Sequence, residues 1–387
     1  MLNLSLSALL LVVLLFTSST CGSSSLSAVD VAQADFAISL LRSSSDERTS
    51  TVMSPFSVAM ALALPYIGAN GTTYNQMKQL LARNASDTAI EDYFGSSVNE
   101  LSEHNFEFIY ANKLYVKSGL MIRARFMDAV RAKYFGNIQQ VDFGQPETLA
   151  KEVNDWVEQK THAKICSLVS AKMFSKGSLM VIVNAVYFKA KWKNAFLEED
   201  TQKRIFHENE NRQREVDMMI KNGGFAYFED NEIQLIGLAY GGGEAIMYAF
   251  LPKQKFELAM FEQSLHGTHL LELIHNCSSR VAHVELPKFR VEAEFELSNA
   301  LQQMGLKDAF TNAADFSGIT ASKLFISKVV HKTFIKVNEN GTEAAAGTAL
   351  RLFGDRLQAP RINFIADHPF LFVIMKRDRI LFIGRFR

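Results

Sequence analysis

Residues 337–350 carry an unusual run of small side chains, and this run constrains the fold more than any other stretch of the 387-residue chain. The segment reads VNENGTEAAAGTAL. Alternate side chains of a strand point to opposite faces, so one face would carry Thr342, Ala344, Ala346, Thr348 and Leu350. The opposite face would carry Glu343, Ala345, Gly347, Ala349 and Arg351. A shift by one residue would bury both charges, so the pattern specifies one register.

The same segment is poor in β-branched and aromatic residues, which is unusual for a permanent core strand. It is typical of a loop that can become a strand. An ordinary loop or a short helix rich in alanine and glycine explains these residues equally well when they are considered alone. The rest of the chain has to decide between the two interpretations.

Short motifs are spread along nearly the whole chain. In chain order they are SPFS at 54–57, GANGT at 68–72, VNDWV at 153–157, VNAVYFK at 183–189, LPKF at 286–289, VHK at 330–332, DHPFLF at 367–372 and FIGRF at 382–386. These motifs resemble those of the serpin family, and residues 337–350 resemble the hinge of that family's reactive loop. Each motif alone is weakly specific. Their shared order and spacing make the resemblance strong.

The hydrophobic periodicity predicts an α+β fold, with helices in the first half and strands in the later part. Helical patterns cover 29–41, 56–66, 74–81, 90–101, 125–134 and 148–161. Strand patterns cover 106–115, 180–188, 225–236, 245–251, 281–286, 288–294, 324–336, 364–365, 370–376 and 380–385. The resemblance implies a large mixed central sheet, smaller sheets, about nine helices and an exposed reactive loop at about 339–363. No linker interrupts the middle of the chain, which agrees with a single domain over 23–387.

The N-terminal residues predict a secretory signal peptide. An apolar run at 4–16 is too short to span a bilayer, and small residues follow it at 18–25. We therefore predict a signal peptide over 1–22, cleaved near Cys21 or Gly22, and a secreted, extracellular, monomeric protein. Glycosylation sequons begin at Asn70, Asn84 and Asn276. A fourth sequon, at Asn340, lies in the hinge, where a glycan would obstruct insertion, so we expect it to be unused.

Several classes of function are disfavoured by composition and by motif. The 41 acidic and 41 basic residues balance, which gives no signal for nucleic-acid binding, and the acidic stretch 89–104 argues against a heparin site. Enzyme signatures such as G-x-S-x-G, H-E-x-x-H, C-x-x-C and the phosphate loop are absent, and the glycines at 241–243 fit a turn between strands. We expect no enzyme activity, cofactor, metal, nucleic-acid partner or membrane partner. The pairing of Cys166 and Cys277 is left open.

The resemblance implies a protease inhibitor that is consumed as it acts. In this family a serine protease attacks the exposed loop and forms an acyl-enzyme, and the cut loop then joins the main sheet as an added strand. The hinge residues by resemblance are Glu339, Gly341, Thr342, Glu343, Ala344, Ala345, Ala346, Gly347 and Thr348. A Pro, Asp or Arg on the inward face would indicate a non-inhibitory carrier or chaperone, and none is present there. A non-inhibitory relative nevertheless stays as an alternative.

Two groups of polar residues would control the sheet. The resemblance places Ser54, Ser57, Asn184 and His331 beneath its centre, where hydrogen bonds can favour one arrangement of a cleft that parts and recloses. Ser54 and Ser57 alone would also fit simple helix capping, and a rival enzyme would use Ser54, Asn184 and His331 for turnover. The resemblance places Trp192, Lys288 and Glu339 where insertion begins, with a Glu339–Lys288 ion pair as a hypothesis.

The bond that the protease attacks is left between two candidates. The family's usual spacing from Glu339 places the cut between Asp355 and Arg356, and one residue further gives Arg356–Leu357. Asp355 would suit proteases with a basic pocket, such as caspase-like or granzyme-like enzymes. Arg356 would suit trypsin-like proteases, whose buried Asp pairs with a cation. We favour Arg356, because a secreted protein meets trypsin-like proteases more often.

Overall fold

The computed structural model describes residues 26–83, 85–100, 106–134, 137–342 and 362–387. Several predicted features lie outside these residues. They are the signal peptide, the sequon at Asn84, the hinge residues 343–348 and the candidate bonds at Asp355, Arg356 and Leu357. The described part begins just before the first helix and contains three of the predicted hinge residues, Glu339, Gly341 and Thr342, of which Thr342 is the first residue of the predicted inward face.

Nine α-helices occur within the described ranges. They are α1 (Ala28–Ser44), α2 (Pro55–Tyr66), α3 (Gly71–Ala82), α4 (Asp87–Glu100), α5 (Ala124–Tyr134), α6 (Pro146–Lys160), α7 (Leu258–Ser264), α8 (Gly267–His275) and α9 (Ser298–Gln303). Helix α2 starts as its sequence predicts, because the Ser54 hydroxyl accepts from the backbone N–H of Ser57 and Pro55 occupies the first turn. Every residue of α2 is buried, which makes this helix part of the core rather than a surface helix.

Fifteen strands occur in the same part of the chain. They are β1 (Thr51–Met53), β2 (Phe106–Lys117), β3 (Asn137–Val141), β4 (Met180–Lys191), β5 (Gln202–Asn209), β6 (Arg212–Glu229), β7 (Ile233–Ala239), β8 (Ala245–Pro252), β9 (Ser278–Pro287), β10 (Phe289–Glu296), β11 (Ile326–Asn338), β12 (Gly341–Thr342), β13 (Ile362–Ile365), β14 (Phe370–Lys376) and β15 (Arg379–Phe386). Strand β4 is a nearly continuous apolar run because it is buried on both faces.

The strands form two mixed sheets. A six-stranded sheet has the order β10-β11-β12-β4-β2-β3, and a nine-stranded sheet has the path β1-β15-β14-β8-β7-β6-β9-β13 with β5 paired to β6. In the six-stranded sheet, β11 and β4 are parallel neighbours over most of their length. The main core, which includes α2, lies on one face of this sheet, and a smaller core beneath α6 lies on the other face.

The predicted α+β fold with mixed sheets and about nine helices is confirmed. The single strand predicted over 225–236 is wrong, because this stretch contains the end of β6, a turn at 230–232 and the start of β7. Asp230 makes that turn by accepting hydrogen bonds from the backbone N–H groups of Glu232 and Ile233. The predicted turn at 241–243 does connect β7 to β8. None of the described helices is long and apolar enough to cross a membrane.

Candidate functional site

The hinge has already entered the six-stranded sheet over two residues. Strand β12 lies between β11 and β4 and is antiparallel to both, with Thr342 opposite Val337 on one side and Ala190 on the other. Gly341 has φ +139°, and a Cβ there would overlap the carbonyl oxygen of Ala190. Only glycine fits this position, so the residue that starts the inserted strand is fixed by sterics.

Five residues surround this point of insertion, and we call them the entry site: Trp192, Tyr240, Lys288, Glu339 and Thr342. Thr342 is fully buried, and its hydroxyl lies 2.7 Å from the hydroxyl of Tyr240. The rings of Tyr240 and Trp192 stack with their centroids 4.4 Å apart. The indole N–H of Trp192 donates to the carbonyl of Asn338 at 2.8 Å, which ties the stack to the end of β11. Thr342 therefore faces the interior, as the alternation predicts.

Glu339 is the charged member of the entry site. Its carboxylate lies 2.9 Å from the Lys288 ammonium and accepts a hydrogen bond from the Thr201 hydroxyl at 2.7 Å. Burial alone would raise the pKa of Glu339, but the hydrogen bonds from Lys288 and Thr201 outweigh it and lower the pKa. Glu339 is therefore ionised at neutral pH, and the hypothesised ion pair is present. The Lys288 side chain keeps 37% of its surface exposed, so water screens part of this attraction.

Beyond β12 the two walls of the sheet close directly on each other, and we call this boundary between β11 and β4 the seam. Its upper end is the pair Phe334 and Tyr187, whose rings stack with centroids 6.4 Å apart. The pairing continues down to Ile326 and Met180. A longer inserted strand would have to separate these pairs one after another.

Halfway along the seam lie the residues of the central cluster: Ser54, Ser57, Asn112, Asn184 and His331. His331 and Asn184 are register partners across the seam, and Nδ1 of His331 bonds to Oδ1 of Asn184. The Asn184 amide donates to the Ser57 hydroxyl at 2.5 Å and to Oδ1 of Asn112. Nε2 of His331 accepts from the backbone N–H of Ser54 at 3.1 Å. Helix α2 thus holds both walls of the seam from below.

The contacts of His331 fix its protonation. Because Nε2 accepts a hydrogen bond from a backbone N–H, the proton of the neutral ring lies on Nδ1, which donates to Asn184. Complete burial disfavours the charged ring and lowers its pKa to about 3. The cluster contains serines, amides and a neutral imidazole, and Ser54 donates its hydroxyl proton to the carbonyl of Leu381 at 2.7 Å. Ser54 is therefore not arranged as a nucleophile with His331 as its base.

The structure brings together all four predicted members of this cluster and adds Asn112, which sequence reasoning missed. Asn112 lies opposite Asn184 in the register of β2 and β4 and donates to the Ser57 carbonyl at 3.5 Å. The signal for it was present: with period two, Asn112 shares its face of β2 with apolar and aromatic residues alone, and an amide on such a face is costly unless it is paired. What the sequence could not supply was the register that places Asn112 beside Asn184.

The remaining predicted residues lie apart from the seam. Asn70 and Asn276 are exposed, and the Asn70 amide donates to the Ser317 hydroxyl at 2.8 Å. Cys166 and Cys277 are both free thiols. Burial raises the pKa of the Cys277 thiol to about 12, so its reactive thiolate form is scarce at neutral pH.

Comparisons with known proteins decide the family. The model of the family described as serpin (serine protease inhibitor) matches residues 31–387. The chain belongs to the serpin family. Serpins are inhibitors and not enzymes, which agrees with the absence of a nucleophile–base pair in the central cluster.

Relatives of this serpin match over most of their length. An uncharacterised serpin-like protein of Thermococcus kodakarensis is 39% identical, and the match covers 90% of this chain and 83% of that protein. Serpin B6 of Pongo abelii is 35% identical, with 92% of this chain and 98% of that protein covered. The crystal structure of Serpin48, a highly specific serpin of the insect Tenebrio molitor, superposes with a TM-score of 0.83 at 32% identity, covering 92% of this chain and 96% of Serpin48.

Proposed function

We propose that this serpin is a secreted suicide-substrate inhibitor of trypsin-like serine proteases, cut between Arg356 and Leu357. The observation that carries the proposal is β12: two hinge residues already pair with both walls of the six-stranded sheet. The hinge therefore starts in the register that a full strand would need. The family supports inhibition of serine proteases, whereas the target class and secretion are this proposal's own additions.

Extending the observed register assigns each inward hinge residue a place. Two residues beyond Thr342, Ala344 would lie between Ile335 and Phe188, and Ala346 would lie between Thr333 and Val186. Thr348 would lie between His331 and Asn184, the pair that bonds across the seam in the closed sheet. All six wall residues are fully buried or nearly so. Small inward side chains can enter this space, and the Thr348 hydroxyl can replace the contact that the two walls lose.

The proposed chemistry follows from the loop's role as a substrate. The protease serine adds to the carbonyl carbon of Arg356, the Arg356–Leu357 bond breaks, and Leu357 leaves with the proton as a new amino terminus. Before water can release the acyl group, the cut hinge inserts along the seam and carries the acylated protease with it. Insertion relaxes the sheet from its half-open arrangement, as is known of this family. One protease is consumed for each inhibitor.

The test mixes the protein with trypsin at equal molarity and follows the mixture on denaturing gels and by mass spectrometry. A covalent complex with a released peptide that begins at Leu357 is the expected result. A peptide that begins at Arg356, obtained with an Asp-specific protease, would move the reactive bond to Asp355. Rapid cleavage with every protease and no complex would mean a non-inhibitory serpin, and the proposal would fail.

Secretion has its own test. The full chain is expressed in a eukaryotic secretory host, and the protein from the medium is sequenced from its amino terminus. We expect the mature chain to begin close to Cys21 or Gly22 and to be N-glycosylated at one or more of Asn70, Asn84 and Asn276. Retention of an intact, unglycosylated chain inside the cell would overturn this part of the proposal.

A further inference from the structure

Thr333 on β11 carries a buried hydroxyl in the wall of the seam. The residue is fully buried, and its Oγ1 makes no hydrogen bond among the described residues. Its register neighbours are apolar on both sides, with Ala293 on β10 and Val186 on β4. Removing a hydroxyl from water without a replacement hydrogen bond costs free energy. The closed sheet therefore carries an unfavourable contribution at this position.

The position of Thr333 along the seam means that opening the seam would relieve this cost. Residues 333, 335 and 337 alternate toward the main core, where Ile335 and Val337 pack. The pairing between the two walls ends at Phe334 and Tyr187, three residues before Val337, which pairs with β12 instead. Thr333 and Val186 are thus the first core-facing pair that an advancing strand has to part. Parting this pair lets water reach the hydroxyl.

We propose that Thr333 is a positioning residue for loop insertion, whose unpartnered hydroxyl destabilises the closed seam and promotes its opening. The inference rests on the proposed inhibitory function for its biological meaning, but its physical content concerns the uncleaved molecule alone. In the extended register Ala346 would face Thr333, so the inserted strand would bring no bulky group against it. The hydroxyl therefore promotes the first step of insertion, the opening of the seam.

The chain offers a matched control for this idea. Tyr115 on β2 also carries a buried hydroxyl without a hydrogen-bond partner among the described residues, but its strand is not a wall of the seam, and it lies in the smaller core beneath α6, on the opposite face of the sheet from Thr333. Thr333→Val removes the hydroxyl and keeps the shape, Thr333→Ser keeps the hydroxyl, and Tyr115→Phe removes an unpartnered hydroxyl elsewhere. All three variants are conservative, so each is expected to fold.

The experiment measures amide hydrogen exchange in the uncleaved protein, comparing amides of 183–187 and 330–334 with amides of β14 and β15. We expect Thr333→Val to slow exchange at the seam, relative to β14 and β15, by a factor of roughly 5 to 30, the range that one or two kcal/mol produces. Thr333→Ser should exchange like the parent. Tyr115→Phe should leave the ratio between seam and reference amides unchanged.

Equal seam protection in the parent and in Thr333→Val would overturn the inference, as would an equal gain in Tyr115→Phe. A second measurement, the number of inhibitor molecules consumed per trypsin, links the seam to inhibition, and it should rise in Thr333→Val. If the parent forms no complex with trypsin while seam exchange still responds to Thr333→Val, the proposed function fails and the role of Thr333 in opening stands. The two failures are therefore distinguishable.

Discussion

The entry site and the central cluster show the same sheet in two arrangements. At the entry site a strand lies between the walls, and each wall pairs with that strand, β11 through Val337 and β4 through Ala190. At the central cluster the walls bond to each other, through His331 and Asn184. The comparison shows what insertion exchanges: a contact between walls is replaced by contacts from each wall to a new strand. The closed cluster therefore opposes the advance that the entry site has begun.

The two regions also differ in their electrostatics. The entry site contains an ion pair whose lysine is partly exposed, so salt and solvent weaken it. The central cluster is neutral, four of its five residues (Ser54, Ser57, Asn184 and His331) are fully buried, and they are joined by a shared hydrogen-bond network. Added salt should consequently weaken mainly the entry site, whereas a fall in pH should strongly destabilise the central cluster. The three predictions below test this contrast, from the largest expected effect to the smallest.

The largest effect is expected for Thr342→Arg at the entry site. Thr342 is fully buried against Tyr240, and a guanidinium group there would have to be dehydrated without a partner, which is strongly unfavourable. We expect the hinge to stay out of the sheet and the protein to become a substrate, with loss of at least 100-fold in complex formation with trypsin (roughly 3 kcal/mol or more by the relation between energy and rate). The loss is measured on gels as the ratio of covalent complex to cleaved product.

The matched control is Glu343→Arg, which puts the same side chain on the next residue. The alternation places that residue on the outward face, so inhibition should stay close to that of the parent. Circular dichroism and urea unfolding confirm that both variants fold. If Thr342→Arg inhibited as well as Glu343→Arg, insertion in the observed register would be the wrong mechanism.

The second effect concerns acid and the central cluster. The pKa of His331 is about 3 in the folded protein and near 6.5 in an unfolded chain. Between these values the unfolded state binds a proton that the folded state does not, so the free energy of unfolding falls as the pH falls from about 6.5. Between pH 6.5 and 4.5 this group alone should remove on the order of 2 kcal/mol. Urea unfolding at several pH values measures the slope.

The comparison with His331→Asn isolates this contribution. The remaining titratable groups are the same in both proteins, so they cancel when the two slopes are compared. Asp367, whose pKa is about 2 because the hydrogen bonds from His368 and Lys255 outweigh its burial, acts below this window. The variant should have a shallower dependence on pH, whatever its absolute stability. Parallel slopes for parent and variant would mean that the pKa of His331 is the same in the folded and unfolded protein, contrary to its buried neutral form.

The entry site and the central cluster also show how much of the structure could be predicted from the sequence. The small residues with period two predicted that Thr342 faces inward, because register follows directly from the alternation. The resemblance correctly brought together Ser54, Ser57, Asn184 and His331, but it gave no register between β2 and β4, so Asn112 was missed. Likewise, the turn at Asp230 was missed because apolar residues continue on both sides of it. The partner of a polar side chain is a property of the packing and not of the local sequence.

The smallest effect is expected for Lys288→Met, which removes the ion pair at the entry site and keeps most of the aliphatic stem. Glu339 is nearly buried, and without Lys288 its side chain retains the hydrogen bond from Thr201. Because Lys288 is partly exposed, we expect a loss of about 0.5–1 kcal/mol at low salt, with a smaller difference at 1 M salt. Urea unfolding at both salt concentrations measures this loss, with Trp192 fluorescence as a local reporter.

The control is Lys203→Met, which removes the exposed ion pair between Lys203 and Asp217, 2.9 Å apart, and should leave stability unchanged. An equal loss in both variants would show that the entry-site pair contributes no more than an ordinary surface pair, and the hinge would then be held by the pairing of β12 and by the contacts of Thr342, Tyr240 and Trp192.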